Sequence, residues 1–341
     1  MTMQIMKAWR LHRFGIENLQ LDDIEIPEPG VNELLIQIKA VSINYRDKAI
    51  IDGSYKSDIL KEGPVTLASD AVGIVVRIGA AVTRFKEGDE VVTHVYTKWL
   101  DGQRMPEDAN YLLGWPLSGV LSEYIVLNEE SAVAKPAYLS DEEASTLPIA
   151  ALTAWNALKA VGNIQAGQTV FIQGTGGVAL FAAQIAFALG AKVIISTSKD
   201  EKGEQAKALG AGYFINYTHT PDWEKEVLRL TEGQGVDEVI ELVAGDITRS
   251  VQAIKYGGTI AVVGFLNNPL LRVNVFSLFA KDAKIEALSI GHRRSFEAMN
   301  IFLEKHLIKP VIDRVYSFDE AKEAFGQLAK GPFGKIVIKV S

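Results

Sequence analysis

Apolar and polar positions alternate with period two through the first third of the chain. Residues 34–41 put Ile36, Ile38 and Ala40 on one face and Gln37 and Lys39 on the other, the pattern of a half-buried strand. Residues 71–78, 90–95 and 123–127 are further short β-rich runs, divided by turn signals at Pro29-Gly30, Ile78-Gly79 and Glu87-Gly88-Asp89. Many short strands without long helices predict a β-barrel or sandwich-like domain. From about residue 165 the period changes. Apolar strand candidates begin near Thr169, Lys192, Tyr213, Glu238, Thr259 and Lys284, each separated by enough chain for one crossover helix. That alternation predicts a parallel, doubly wound α/β sheet with helices on both faces. The domains are therefore expected over 1–130 and 131–291, with a capping box at Ser140 and Glu143 opening a helix soon after the boundary. Two helix candidates, 295–305 and 319–329, precede an alternating strand at 335–340 that resembles the first domain's strands. The tail 292–341 is expected to return and complete the first domain.

Composition narrows the function without changing this architecture. At 341 residues, 48 % hydrophobic and 23 % charged, the chain can bury a core large enough to offset its ordering entropy. Its formal charge of −7 repels a phosphate backbone, so nucleic acid is not an expected partner. No cysteine is present, which excludes disulfides, thiolate metal sites and cysteine nucleophiles. The first ten residues lack a secretory signal's apolar stretch. The longest apolar candidate, 178–189, is interrupted by Gln184 and is shorter than the ~20 residues that span a bilayer. No membrane partner is expected, and the expected location is cytoplasmic.

The clearest chemistry follows the strand 169–173. Gly174-Thr175-Gly176-Gly177-Val178-Ala179 reads G-x-G-x-x-A, and a helix over 178–189 follows, closed by Gly190. Glycines there allow a tight turn and close backbone approach, while the helix N-terminus offers free amides and a positive dipole end to a pyrophosphate. Gly174, Gly176, Gly177 and Val178 are thus candidate cofactor residues. An acidic residue about 20 positions on would bind a ribose 2′-hydroxyl. Here that stretch is Ser196-Thr197-Ser198-Lys199, with no carboxylate before Asp200. Hydroxyls and a cation suit a phosphate, favouring NADP(H) over NAD(H); a solvated loop that binds neither group is the alternative.

Several further stretches carry a family resemblance. They are Val41-Ser42-Ile43-Asn44-Tyr45-Arg46-Asp47, Ala68-Ser69-Asp70-Ala71-Val72-Gly73, and Arg84-Phe85-Lys86-Glu87-Gly88-Asp89-Glu90-Val91-Val92. Leu147-Pro148, Thr153-Ala154-Trp155, the glycine loop and Tyr256-Gly257-Gly258 leading to Val263-Gly264-Phe265 continue the series. With them the chain resembles the medium-chain dehydrogenase/reductase superfamily, in its zinc-free quinone oxidoreductase-like branch. The resemblance implies a chaperonin-10 (GroES)-like β-barrel, completed by the tail, plus a Rossmann domain. Zinc-dependent alcohol dehydrogenases are similar but place a cysteine where Asn44 stands and a His-Glu pair where Ser69-Asp70 stands. Their four-cysteine structural zinc lobe is replaced by residues 97–119 here. The five histidines form no i, i+4 pair, so no metal is expected.

Without a Lewis acid, an unactivated alcohol is a poor hydride donor, whereas a quinone or α,β-unsaturated carbonyl spreads the incoming charge by conjugation. The expected reaction is hydride transfer from NADPH to such a small electrophile. Asn44 and Tyr45 follow an apolar strand expected to end at an interdomain cleft, and both can donate to an oxyanion. Alternatively Asn44 only forms a turn and Tyr45 only fills the core. Asp47 could orient Arg46 or Lys48, but a structural role is the favoured reading. The resemblance further implies Thr153 and Val243 near the nicotinamide, Ser198, Lys202 and Tyr217, beside Thr197, around a 2′-phosphate, and Gly264 and Phe265 completing the cofactor site. Arg293-Arg294 reads equally as a phosphate site or a solvated helix start. Relatives suggest a homodimer. Competing readings are a zinc-free NAD(P)-dependent alcohol dehydrogenase and a nucleotide-binding protein without turnover.

Overall fold

The computed structural model describes residues 4–266 and 268–341, and the chain gathers into two compact units, Met1–Ile149 with His292–Ser341, and Ala150–Gly291. In the first unit, β1 (Ile5–Leu11) pairs antiparallel with β2 (Leu19–Glu25) and with β4 (Val65–Thr66). Its larger sheet is built around β3 (Glu33–Ile43), which pairs antiparallel with β5 (Asp70–Ile78) and with β7 (Tyr124–Asn128). β6 (Glu90–Thr93) and β8 (Ala132–Ala134) extend it beyond β5. The alternation foreseen for β3 holds: Ile36, Ile38 and Ala40 are buried, whereas Gln37 and Lys39 are only partly so. Residues 131–149, assigned to the second domain on sequence, cluster with the first unit, because Ala132–Ala134 completes its sheet by pairing with β6.

The second unit is a parallel sheet of β9 (Thr169–Ile172), β10 (Lys192–Thr197), β11 (Tyr213–Asn216), β12 (Val236–Glu241), β14 (Ile254–Val262) and β16 (Lys284–Ala287). The spatial order is β11-β10-β9-β12-β14-β16, so the sheet winds outward in both directions from β9. Strand onsets agree with the spacing, except that β14 begins before the expected Thr259. Its early part contains the turn-like Tyr256-Gly257-Gly258, and its register against β12 breaks between Val236 and Glu238. A short pair, β13 (Ala244–Asp246) with β15 (Asn268–Arg272), was not foreseen.

The tail re-enters the first unit. β17 (Ile312–Ser317) pairs parallel with β18 (Lys335–Lys339), and β18 lies antiparallel on β3, with Ile336 opposite Ile43. No helix among the described residues is long and apolar enough to cross a membrane.

Candidate active site

The first unit contributes a buried polar cluster at the end of β3. Asn44 leaves the strand in extended conformation and caps the helix α1 (Tyr45–Ile51). The Asp47 side chain turns back and accepts from the Asn44 N–H at 2.8 Å, satisfying an amide that the helix start would otherwise strand. The strands on either side of β3 then bring in charge. Pairing of Ser42 with Asp70 sets the start of β5 on one side, and pairing of Ile43 with Ile336 sets Lys335 on the other. Lys335 Nζ donates to the Ile43 carbonyl at 2.9 Å and to Asn44 Oδ1 at 2.6 Å. Asp70 accepts from the Ser69 hydroxyl at 2.9 Å and from the Ile149 N–H at 3.1 Å.

All of these side chains are buried. Burial raises the Asp47 pKa to about 6, with Arg46 the chief opposing influence. It raises Asp70 as well, against Lys335, and lowers Lys335, against the two carboxylates. An ammonium offers donors only, so the Asn44 amide must turn its oxygen toward Lys335. Its Nδ2 then faces the Asp70 side and is buried without a partner in hydrogen-bonding geometry. Asn44 retains 8 % of its surface, whereas Tyr45, the first residue of α1, is 37 % exposed.

Asp47 does not orient its neighbours by hydrogen bonds. Arg46 donates to the carbonyls of Leu113 and Trp115, each at 2.9 Å, and Lys48 pairs with Asp52. Arg293 and Arg294 begin the helix Arg293–Lys305 and pair with Glu130 and Asp101 respectively.

Positions that resemblance aligns with zinc ligands therefore do meet in space, but their chemistry does not fit zinc. Asn44 and Ser69 are neutral oxygen ligands, and Lys335 already places a cation on Asn44 Oδ1. No group of three or more His, Cys, Asp or Glu side chains among the described residues could hold a metal. Lys335 was missed on sequence because its strand, Lys335–Lys339, reads as an ordinary alternating one.

The second unit contributes a nucleotide cradle. Gly174 has a positive φ of 78° and its N–H donates to Ser196 Oγ at 3.1 Å, fixing the turn between β9 and the helix Gly177–Ala188. A Cβ on Gly174 or Gly176 would meet nothing within 4 Å, so the space above the loop is open to a ligand. Gly177 and Val178 form the first turn of that helix. At the adjoining strand ends, pairing of Thr197 with Asn216 and a 3.0 Å bond from the Tyr217 N–H to the Thr197 carbonyl bring Tyr217 beside Ser198. Ser198 and Tyr217 are exposed, and Lys202 is half-buried on the helix Asp200–Lys207. Thr197 is buried, and its hydroxyl binds the Lys199 backbone. The nearest carboxylate, Asp200, accepts from Asn216 Nδ2 at 2.7 Å.

Thr153 is buried on the helix Leu152–Asn156. Val243 and Gly264 lie just past β12 and β14, followed by Phe265. A Cβ on Gly264 would approach the Leu242 carbonyl oxygen to 2.1 Å, so only glycine fits there. The open glycine loop at the start of the helix Gly177–Ala188 suits the pyrophosphate of a nicotinamide dinucleotide.

Comparison with known proteins agrees in both units. Residues 30–137 match the alcohol dehydrogenase GroES-like domain family, and residues 177–305 match the zinc-binding dehydrogenase family. The chain is 37 % identical over 338 residues to a zinc-type alcohol dehydrogenase-like protein of Schizosaccharomyces pombe, covering 96 % of each. It superposes with TM-score 0.93 and 40 % identity on a Sinorhizobium meliloti structure put forward as an alcohol dehydrogenase, covering 100 % of both chains. A quinone oxidoreductase structure from Pseudomonas syringae matches with TM-score 0.84 and 28 % identity, covering 98 % of this chain and 100 % of that one.

Proposed function

We propose that this chain, which belongs to the zinc-type alcohol dehydrogenase-like medium-chain dehydrogenase/reductase superfamily, is an oxidoreductase that reduces a quinone or α,β-unsaturated carbonyl with NADPH and without a metal. One observation carries the reading. Where related enzymes hold zinc, this chain has Asn44 with its Oδ1 bonded to the Lys335 ammonium, and Ser69 bonded to Asp70, whose buried carboxyl feels the Lys335 charge. A conjugated acceptor needs no Lewis acid, because conjugation disperses the charge and hydrogen-bond donors hold what remains on oxygen.

A bound nicotinamide supplies the hydride. The glycine loop and the first turn of Gly177–Ala188 hold the pyrophosphate. Ser198, Lys202 and Tyr217 take the 2′-phosphate, with Thr197 shaping their turn. Thr153, Val243, Gly264 and Phe265 line the nicotinamide. Tyr45, the more exposed donor, holds the acceptor oxygen through its hydroxyl, and Asn44, its Oδ1 held by Lys335, offers the Nδ2 hydrogens that have no protein acceptor. The same reading includes a homodimer. It is supported by the edge strand β16 and by the helix Val275–Lys281, where Phe276 and Phe279 are 75 % and 71 % exposed.

The names of the Schizosaccharomyces and Sinorhizobium relatives favour a second reading, an alcohol dehydrogenase, which in this chain would act without zinc. One assay decides: oxidation of NADPH and of NADH followed over a panel of quinones and enones, beside alcohol oxidation with NADP⁺ and NAD⁺. Turnover of quinones or enones with NADPH that persists after chelation supports the proposal. Alcohol oxidation alone would transfer the function to the second reading, and binding with no turnover would leave a nucleotide-binding protein. Within the positive case, Lys202→Ala should weaken NADPH but not NADH, by roughly tenfold or more for a lost charge-assisted bond to phosphate.

A further inference from the structure

Three residues that the cofactor reading does not use join the loops that it does. Gln173 ends the run that β9 begins, immediately before Gly174. Its Oε1 accepts from the N–H of Leu242 at 3.0 Å and of Val243 at 3.3 Å, and its Nε2 donates to Glu241 Oε2 at 2.8 Å. Glu241 closes β12. Its Oε1 accepts from the N–H of Val243 at 3.2 Å and of Ala244 at 3.1 Å, and its Oε2 also accepts from the Ser250 hydroxyl at 2.5 Å. The Glu241 backbone carbonyl accepts from Val263 at 2.9 Å and Gly264 at 3.2 Å.

All three side chains are buried. The polarity of the network leaves no slack. Backbone N–H groups need acceptors and a carboxylate needs donors, so the Gln173 amide has one satisfactory orientation, and the lone pairs of Glu241 are fully used. The network also holds a strained residue: Ala244 has φ 59°, in the left-handed region costly for a side chain, and its N–H is one of those bound by Glu241.

We propose that Gln173, Glu241 and Ser250 are positioning residues for the dinucleotide, presetting Gly174, Val243 and Gly264 without touching the ligand. The inference rests on the cofactor reading above and adds to it where the precision of that site comes from. Rigid loops bind without first being ordered, so loosening this network costs affinity even where every contacting residue is intact.

The test uses the full chain and direct NADPH binding, read as enhancement of the cofactor's fluorescence, beside the unfolding midpoint without cofactor. Glu241→Gln is nearly isosteric but sets its new Nε2 against the Gln173 Nε2. It should weaken NADPH roughly tenfold, the scale of one strong hydrogen bond lost to a charged group. The double variant Gln173→Glu with Glu241→Gln exchanges the two side chains and restores a donor facing an acceptor. Its affinity should return to within roughly threefold of the parent, which loss of packing alone would not produce. Ser250→Ala, the mildest change, should lie between the parent and Glu241→Gln. Should Glu241→Gln fail to fold, the exchanged variant and Ser250→Ala still decide. Parental affinity in folded Glu241→Gln, parental affinity in Ser250→Ala, or an exchanged variant that binds no more tightly than Glu241→Gln, or than Ser250→Ala where Glu241→Gln does not fold, would overturn the proposal. A parent that binds neither NADPH nor NADH would overturn the cofactor reading itself, a failure visible before any substitution.

Discussion

Lys335 is the residue on which the buried cluster of the first unit depends. Its ammonium is out of water, bonded to the Ile43 carbonyl and Asn44 Oδ1, and it is the cation that opposes the burial of Asp70. Removing one member of a buried charge set leaves the others uncompensated, at a cost of about 3–5 kcal/mol. Lys335→Met should therefore lower unfolding free energy by an amount in that range, measured by urea denaturation, while Lys339→Met on the exposed end of the same strand should change little. Asp47 gives a pH test of the same environment. Its folded-state pKa is about 6, against an ordinary 3.8, so the folded protein binds this proton more readily than the unfolded chain. Its contribution to stability is present below 3.8 and is lost as pH rises through about 6. Asp47→Asn removes that titration. The stability of the variant relative to the parent should rise by about 3 kcal/mol across the window, from a shift of roughly two pKa units. A constant difference across the window would show that Asp47 does not carry the titration.

Elements make a different kind of statement, because their formation was visible from pattern while their partners were not. The glycine loop was legible since its residues are consecutive and each has a local reason: a positive φ at Gly174, and open space at Gly174 and Gly176. Gly176→Val should leave circular dichroism unchanged, since its Cβ meets no protein atom, and should abolish NADPH fluorescence enhancement. Normal affinity would reduce the loop to a turn. The last strand illustrates the opposite case. β18 follows β3 by almost the whole chain, yet Ile336, Val337 and Ile338 are completely buried. Deleting residues 335–341 removes that burial, worth roughly 5 kcal/mol or more at ~1.5–3 kcal/mol per side chain. The truncated chain should be recovered as aggregate, or should unfold at markedly lower denaturant than the parent.

For the whole molecule, the informative surface is apolar. Val275, Phe276 and Phe279 are exposed on one helix, and Leu270 and Leu271 are exposed on β15. Clusters of that kind usually mark an interface. Sedimentation of the intact protein should report a dimer, and Phe276→Ser with Phe279→Ser should shift it toward monomer. A parent that sediments as a monomer at all concentrations would end the dimer proposal.

The sequence by itself determined what depends on local order. Alternation, turn residues and strand spacing specify a barrel-type unit and a doubly wound sheet, because side-chain periodicity is set by backbone geometry within a few residues. The glycine loop, the helix behind it and the absence of a carboxylate at Ser196-Thr197-Ser198-Lys199 were equally readable, all lying in one continuous stretch. Only the tertiary structure decided where Ala132–Ala134 belongs and which side chains share a buried environment. Lys335 meets Asn44 across 291 positions, and Gln173 meets Glu241 across 68. Nothing in the neighbourhood of either residue distinguishes it from an ordinary polar position on a strand. Their partners, orientations and pKa directions arise from strand register and exclusion of water, which exist only once β18 lies on β3 and β12 lies beside β9.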